Sequence, residues 1–271
     1  MPKTPLTKLN LSWPGSEKFT AYVKDESKNP FGTIKDRRNE PIIKEAQRYF
    51  VDKLALITSG NNGHSLAQLA KGTDIKVVCV IGEDASVSMK NALEKVAFKI
   101  IPVNLSYKIF QTEDLITFTR EKDDEVIWDV TNGYEDNYQI VLREIFEKII
   151  PDYVIVPVGS GGMYISFVNM IERTGIKTRV VGISVEMTRQ SFADKLCTPW
   201  TPHEKMMQAY QRLGHPIYKL SEAEVRKTYY KFKKIVNCEP SASVVFAAPN
   251  KHFFKKTDTV VFINSGKGVL C

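Results

Sequence analysis

The sequence predicts an α/β protein built on parallel β-sheets, and three observations lead to that prediction. Strand-like apolar runs alternate with helix-like segments along most of the 271 residues. Runs such as VVCVI and YVIVPV are apolar at every position, which is typical of strands that are covered on both faces. Two of the runs end in glycine-rich turns that lead into helices. Such βα units place binding residues at the carboxyl ends of the strands.

The individual elements can be assigned in chain order. Pro30 and Gly32 favour a turn, Thr33 is a fair N-cap, and a helix is predicted from Asp36 onward, with Pro41 as a candidate break near its start. Strands are predicted at 54–59, 76–82, 99–104, 125–130, 152–159, 179–186 and 259–266. Helices are predicted at 64–72, 86–97, 113–122, 138–149, 163–175 and 221–236, with a short one after Glu239-Pro240. The polar middle around 187–215 is predicted to be irregular.

Composition favours an ordinary globular protein, with one large domain or two small ones. Hydrophobic residues make up 43% of the chain and charged residues 25%. The amino terminus lacks the apolar segment of a secretory signal, and the longest apolar runs are too short to span a bilayer. The four cysteines are scattered without a CxxC pair, so neither a disulfide framework nor a zinc site is indicated. We expect a cytoplasmic protein without a metal site.

The formal net charge of +7 is compatible with nucleic acid, anionic membranes or phosphorylated small molecules as partners. The densest basic segments, VRKTYYKFKK and NKHFFKK, interleave lysines with aromatic residues. The first of them also fits one amphipathic helix, with Val225, Tyr229, Phe232 and Val236 at helical spacing. A solvated helix face is the better interpretation, and we expect no nucleic-acid or membrane partner.

Two predicted strand ends carry the same glycine-rich feature. SGNNG (59–63) and GSGGM (159–163) each lead into a helix and expose backbone N–H groups at its N-terminus, a site for phosphate or carboxylate. One such loop is usually only a tight turn, but two in one chain favour anion binding. GSGGM is not a Walker loop, since no Gly-Lys-Ser/Thr follows, and Tyr164 or Ile165 stands where a dinucleotide motif needs glycine.

Lys35 follows the Pro-Phe-Gly turn at the expected first turn of a helix. The positive end of the helix dipole disfavours its ammonium form, so Lys35 is either a solvated surface lysine or an amine suited to Schiff-base chemistry. Ser265 follows the last predicted strand, and Asn61 lies in the first glycine-rich turn. A reactive amine, a glycine-rich phosphate cup, an amide and a hydroxyl are the set of groups that pyridoxal phosphate requires.

These motifs resemble those of the fold-type II pyridoxal-phosphate enzymes, the group of cysteine synthase, serine/threonine dehydratases, tryptophan synthase β and threonine synthase. The segment VKDESKNPFGTIKDR resembles the cofactor-lysine segment of threonine synthase most closely. The likeness runs in order from TPL through TSGNNG, PVGSGGM, VVGISVE and EPSAS to INSGKG. It therefore covers nearly the whole chain.

The resemblance implies a role for each candidate residue. Lys35 is the catalytic lysine, which holds pyridoxal 5'-phosphate as a Schiff base and shuttles protons. Asn61 contacts the cofactor ring, and Ser265 faces the pyridine nitrogen, where a hydroxyl suits elimination and replacement chemistry. The phosphate cup is formed by Gly159, Ser160, Gly161, Gly162 and Met163. The substrate carboxylate is received by Thr58, Ser59, Asn61 and Asn62.

The resemblance also implies the architecture: two open, twisted, mostly parallel sheets with helices on both faces. It implies a larger cofactor-binding domain of residues 1–36 and 128–271, a smaller mobile domain of residues 37–127, a cofactor between them, and a homodimer. Met163 and Phe31 depart from the family pattern, and the chain is shorter than typical members.

Threonine synthase, which converts O-phospho-L-homoserine and water to L-threonine and phosphate, is the favoured activity. Cysteine synthase acting on O-acetylserine or O-phosphoserine is an alternative, as is a serine/threonine dehydratase. A non-catalytic binding or regulatory protein on the same fold is an alternative of a different class, against which the intact Lys35, Asn61 and Ser265 argue. The expected partner is a small amino-acid substrate, which is phosphorylated in the threonine synthase case.

Overall fold

A computed structural model describes residues 1–10, 13, 18–105, 109–186, 191–198 and 200–268. The chain divides into two compact units. The small unit contains Lys35–Asn137 with residues at the two chain ends, and the large unit contains Pro2–Ile34 and Tyr138–Lys267. Among the described residues, no helix has both the length and the apolar character needed to cross a bilayer.

The strands and helices follow the expected alternation through most of the chain. The strands are β1 (Leu6–Leu9), β2 (Thr20–Asp25), β3 (Lys53–Ile57), β4 (Lys76–Gly82), β5 (Lys99–Val103), β6 (Ile127–Asp129), β7 (Tyr153–Pro157), β8 (Arg179–Val185), β9 (Ile217–Leu220) and β10 (Thr259–Asn264). The α-helices are α1 (Lys35–Arg48), α2 (Asn61–Ala70), α3 (Val87–Glu94), α4 (Thr112–Thr119), α5 (Gln139–Phe146), α6 (Gly162–Thr174), α7 (Glu204–Arg212), α8 (Glu222–Phe232) and α9 (Pro240–Ser243).

The large unit is built on a six-stranded sheet in the order β1-β2-β10-β7-β8-β9. Every neighbouring pair is parallel except β1 and β2, which pair antiparallel. Along β7, Ile155 packs into one apolar cluster while Val154 and Val156 pack into another, and all three side chains are fully buried. The continuous apolar pattern of this strand therefore reflects burial on both faces, as predicted.

The small unit is built on a four-stranded, fully parallel sheet in the order β5-β4-β3-β6. Leu54 and Leu56 of β3 pack with Ile42 of α1 and Leu66 of α2 in one core cluster, and all four side chains have no exposed surface. Two mostly parallel sheets covered by helices confirm the predicted fold class.

Two sequence predictions differ from the structure. The helix α1 continues through Pro41, which is exposed, so the ring costs α1 one backbone hydrogen bond without ending it. The stretch predicted to be irregular contains α7, and β9, which follows that stretch, was not predicted; residues 187–190 and 199 lie outside the described part. Polar α7 has no fully buried residue and gave only a weak apolar signal.

The amino-terminal strands β1 and β2 were not predicted either. The pairing partner of β2 explains why. β2 pairs with β10, which lies more than 200 positions later in the chain, with Ala21 opposite Val260 and Val23 opposite Phe262. A pairing over that distance leaves no local pattern in the sequence.

Candidate active site

The turn that precedes Lys35 is held by hydrogen bonds within the large unit. Gly32 N–H donates to the carbonyl oxygen of Asn29 at 2.9 Å, and the Asn29 amide nitrogen donates to the Glu26 carboxylate at 2.6 Å. Gly32 has φ of +75°, a conformation that favours glycine. The Pro-Phe-Gly turn therefore has a fixed course up to the start of α1.

The residues just before Lys35 pair with the chain that follows β10. Thr33 and Gly266 form an antiparallel bridge, and Ile34 N–H donates to the carbonyl oxygen of Ser265 at 2.8 Å. The approach is close, because a Cβ added to Gly266 would lie 2.9 Å from the carbonyl oxygen of Gly32. Lys35 follows directly in the chain after Ile34, the residue that is hydrogen-bonded to Ser265.

The chain on both sides of Ser265 has buried polar support. The Asn264 side chain, which is fully buried, donates to the Asp25 carboxylate at 2.7 Å and to the carbonyl oxygen of Asn237 at 3.0 Å. Gly266 accepts a hydrogen bond from the N–H of Glu239 at 3.0 Å. The EPSAS segment, which contains α9, is thereby anchored at the carboxyl end of β10.

The glycine-rich loop 159–163 follows β7, the neighbour of β10 in the sheet, where Ile155 is opposite Phe262. Gly161 has φ of +90° and is the N-cap of α6, and no side chain caps this helix in the described part of the chain. The first-turn N–H groups of a helix have no intrahelical acceptors, so they can donate to an anion. This donor set fits a phosphate group.

The second loop, SGNNG, is shaped by Thr58 inside the small unit. The buried Thr58 hydroxyl oxygen accepts hydrogen bonds from Gly60 N–H at 3.0 Å and from Gly63 N–H at 3.1 Å. Gly63 has to be glycine, because an added Cβ would lie 2.7 Å from Cys79 Sγ. Asn61 and Asn62 form the first turn of α2, whose N-cap residue Gly60 has no side chain to accept from their N–H groups. This second helix N-terminus suits a carboxylate.

A buried polar network connects α1 to α2, and sequence reasoning missed it. Ser65 Oγ donates to the Asp36 carboxylate at 2.6 Å, and the Asn39 amide nitrogen donates to the carbonyl oxygen of Asn62 at 3.1 Å. Arg38 donates to the carbonyl oxygen of Val130 at 2.5 Å. Because the segment KDRRNE is polar throughout, nothing in its pattern indicated that Asp36, Arg38 and Asn39 would be buried.

Burial sets the ionisation of nearby side chains in the small unit. It lowers the pKa of His64 in α2, with a further contribution from Lys71, so the imidazole is neutral near pH 7. Burial raises the pKa of the Cys79 thiol to about 12, which makes Cys79 a packing residue rather than a nucleophile. Among the described residues, no group of His, Cys, Asp and Glu side chains could hold a metal ion.

The predicted site residues thus form two groups. The small unit brings the SGNNG residues together at the amino end of α2, and the buried network ties that helix to the one that begins with Lys35. The large unit places the glycine-rich loop and Ser265 at the ends of two adjacent parallel strands.

Comparisons with known proteins give similar relatives. The chain is 28% identical to cysteine synthase B of Pseudomonas aeruginosa over 197 residues, covering 70% of this chain and 61% of the relative. It is 27% identical to a cysteine synthase of Flavobacterium over 199 residues, covering 68% of this chain and 63% of the relative. The matched part thus spans about six tenths of the length of these relatives.

The fold is also shared with solved structures. The O-acetylserine dependent cystathionine beta-synthase from Helicobacter pylori aligns with a TM-score of 0.81 at 19% identity, over 99% of this chain and 94% of that one. At that identity the likeness shows the fold alone. The family model described as "Pyridoxal-phosphate dependent enzyme" matches residues 2–266. The chain therefore belongs to the fold-type II pyridoxal-phosphate dependent enzymes, and its cofactor is pyridoxal 5'-phosphate.

Proposed function

We propose that the protein catalyses β/γ-elimination or replacement on an amino acid that carries a leaving group. The observation that carries this proposal is the pairing of Thr33 and Ile34 with Ser265 and Gly266. This pairing holds the segment that precedes Lys35, the proposed catalytic lysine, against Ser265, the residue proposed to face the ring nitrogen. Pyridoxal phosphate, when bound, withdraws electrons from the substrate α-carbon.

In this proposal the protein supplies binding groups and one mobile proton. The first-turn N–H groups of α6 and the loop Gly159, Ser160, Gly161, Gly162 and Met163 hold the phosphate. The Ser265 hydroxyl would face the ring nitrogen, and Asn61 would contact the ring. The Lys35 amine removes the proton from the substrate α-carbon and returns a proton after the leaving group has departed. An amine can do both because it is a base when neutral and an acid when protonated.

The substrate carboxylate is proposed to bind the loop that precedes α2. Thr58 shapes this loop, and Ser59, Asn61 and Asn62 offer side-chain and backbone donors to the carboxylate. The domain roles stay a proposal as well. Residues 1–36 and 128–271 would bind the cofactor, and residues 37–127 would move when the substrate carboxylate binds.

Replacement on an activated serine, as in cysteine synthase, is the first candidate for the specific reaction. Its support is the name of the two curated relatives, which cover about two thirds of this chain. Threonine synthase is the second candidate, and the specific observation in its favour is the segment KDESKNPFGTIKDR, which resembles the threonine synthase form. A homodimer and a cytoplasmic location stay predictions.

A product assay separates the two candidates. Purified protein is incubated with O-acetylserine and sulfide, with O-phosphoserine and sulfide, with O-phosphohomoserine, and with threonine, and the products are identified. Cysteine formation supports the first candidate, and phosphate with stoichiometric threonine from O-phosphohomoserine supports the second. Lys35→Ala is the negative control, and no turnover of any substrate by wild type would contradict the proposal.

A further inference from the structure

The rear of the glycine-rich loop is covered by one segment of the large unit, residues 195–198 and 200–207, which we term the backing segment. A Cβ added to Gly159 would lie 3.2 Å from the carbonyl oxygen of Lys195 and 3.2 Å from Leu196 Cα. A Cβ added to Gly161 would lie 2.5 Å from Met207 Sδ. The backing segment therefore contacts the loop on both sides of Ser160.

A hydrogen bond joins the backing segment to the residue between these glycines. The Thr201 hydroxyl donates to the carbonyl oxygen of Ser160 and accepts from His203 N–H at 3.1 Å. The Ser160 carbonyl and the Gly161 N–H belong to one planar trans peptide and point in opposite directions. By holding the carbonyl at the rear of the loop, Thr201 turns the Gly161 N–H toward the opposite side.

The backing segment is itself anchored to the rest of the large unit. Tyr210 of α7 donates its hydroxyl proton to the Asn169 side chain of α6, and Met207 packs against the apolar cluster that contains Tyr164 and Phe167. Leu196 packs against the cluster on the other face of the sheet. The loop conformation, including φ of +90° at Gly161, is thus fixed by groups that are held by both faces of the core.

We propose that Thr201 and Met207 are positioning residues for the cofactor phosphate, acting through the loop rather than by contact. This inference rests on the proposed role of residues 159–163 as the phosphate cup. Thr201 sets the orientation of the Ser160–Gly161 peptide, and the Met207 thioether prevents the loop from relaxing backward. If either side chain is removed, the N–H groups of the loop no longer point in one direction. A ligand that carries a phosphate then loses more binding affinity than a ligand that lacks it.

Equilibrium dialysis of the full chain tests this inference with two ligands, pyridoxal phosphate and pyridoxal. Differences in the free ligands cancel when the affinity ratio of a variant is compared with that of wild type, so a change in this ratio reports on the phosphate site. Thr201→Val removes the hydroxyl at nearly constant shape, and we expect its affinity for pyridoxal phosphate to fall about tenfold, as for a lost hydrogen bond. Met207→Ala should give a loss of similar size. Affinity for pyridoxal should stay within about twofold for both variants, a difference of only a few tenths of a kcal/mol.

Matched variants control for general destabilisation. Thr201→Ser and Met207→Leu keep the hydroxyl and the bulk, so they should restore the ratio. Met206→Ala, which truncates an exposed neighbour in α7, should leave it unchanged. Equal losses of both ligands, or no loss of either, would overturn the positioning role. A wild-type protein that binds both ligands equally would instead contradict the assignment of the loop itself, and the inference would fall with it.

Discussion

The N–H of Ile34 donates a hydrogen bond to the carbonyl oxygen of Ser265 at 2.8 Å. The two residues are separated by most of the chain, yet both lie in the large unit, and Thr33 and Gly266 bridge beside them. The chain enters α1 directly after this contact. Lys35, the proposed proton-transfer residue, therefore directly follows a residue whose backbone is held by a hydrogen bond to Ser265. Catalysis depends on backbone positions that are fixed in this way.

Gly161→Ala should abolish tight binding of pyridoxal phosphate. A side chain at φ of +90° costs about 1–2 kcal/mol in backbone strain, and the new Cβ would also displace Met207. We expect at least a tenfold weaker cofactor affinity, measured by equilibrium dialysis, because a strained loop no longer aligns its donors.

Gly175→Ala is the matched control at the other end of α6. Gly175 has φ of +68°, so the backbone strain is similar, but no atom lies within 4 Å of an added Cβ. This variant should lose about 1 kcal/mol of stability and keep its cofactor affinity. Equal loss of cofactor in the two variants would show that strain in α6, and not the loop, determines binding.

Thr58→Val should weaken substrate binding more than turnover. The substitution removes the acceptor of two N–H groups, from Gly60 and Gly63, and leaving buried donors unsatisfied costs about 1–3 kcal/mol each. The loop that begins α2 should then lose its shape. We expect KM for the amino-acid substrate to rise about tenfold with a smaller change in kcat.

Thr73→Val provides the control for Thr58. Thr73 also accepts a backbone N–H through its hydroxyl, from Ile75 at 3.2 Å, but it lies beyond the carboxyl end of α2. It should lower stability without changing KM. A tenfold change in KM for Thr73→Val, or none for Thr58→Val, would contradict the proposed carboxylate site.

Glu125→Gln should destabilise the protein in a pH-dependent way. The Glu125 carboxylate pairs with buried Lys53 at 2.8 Å. Its hydrogen bond with Lys53, together with those from the backbone N–H groups of Glu121 and Lys122, lowers the pKa of Glu125 from 4.5 to about 2. A carboxyl with a lowered pKa stabilises the folded state fully above pH 4.5, and this contribution is lost as the pH falls toward 2.

Thermal unfolding across this range measures the effect. The difference in Tm between wild type and Glu125→Gln should be largest near neutral pH and shrink between pH 4.5 and 2. Glu113→Gln, which changes an exposed glutamate in the first turn of α4, should give a small difference at every pH. A constant Tm difference for Glu125→Gln down to pH 2 would rule out the ion pair as its source.

Most strands and helices could be predicted from local patterns in the sequence. The strand β4 was predicted with its observed bounds, because the apolar run 77–81 is flanked by Lys76 and Gly82 and can be read as one buried strand. Both glycine-rich loops could be located because each joins a clear strand to a clear helix. The start of α1 could be predicted because Pro30, Gly32 and Thr33 precede it.

Contacts between distant parts of the chain could not be predicted. Thr201 and Met207 lie in a polar stretch, and only the folded chain brings them behind the glycine-rich loop. The burial of Asp36 and Asn39 depends on partners in α2 that no spacing rule connects to them. Hydrogen bonds of this kind are determined by tertiary packing, which overrides local propensity.

Borohydride reduction of the purified holoenzyme, followed by mass mapping of its peptides, tests whether Lys35 is the lysine that binds the cofactor. Reduction converts the link between a lysine amine and the cofactor into a stable bond, so the modified residue can be identified. We expect a single adduct on Lys35. It should be absent from Lys35→Ala and retained in Lys44→Ala, which changes an exposed lysine of the same helix. An adduct on another lysine, or none at all, would contradict the assignment of Lys35.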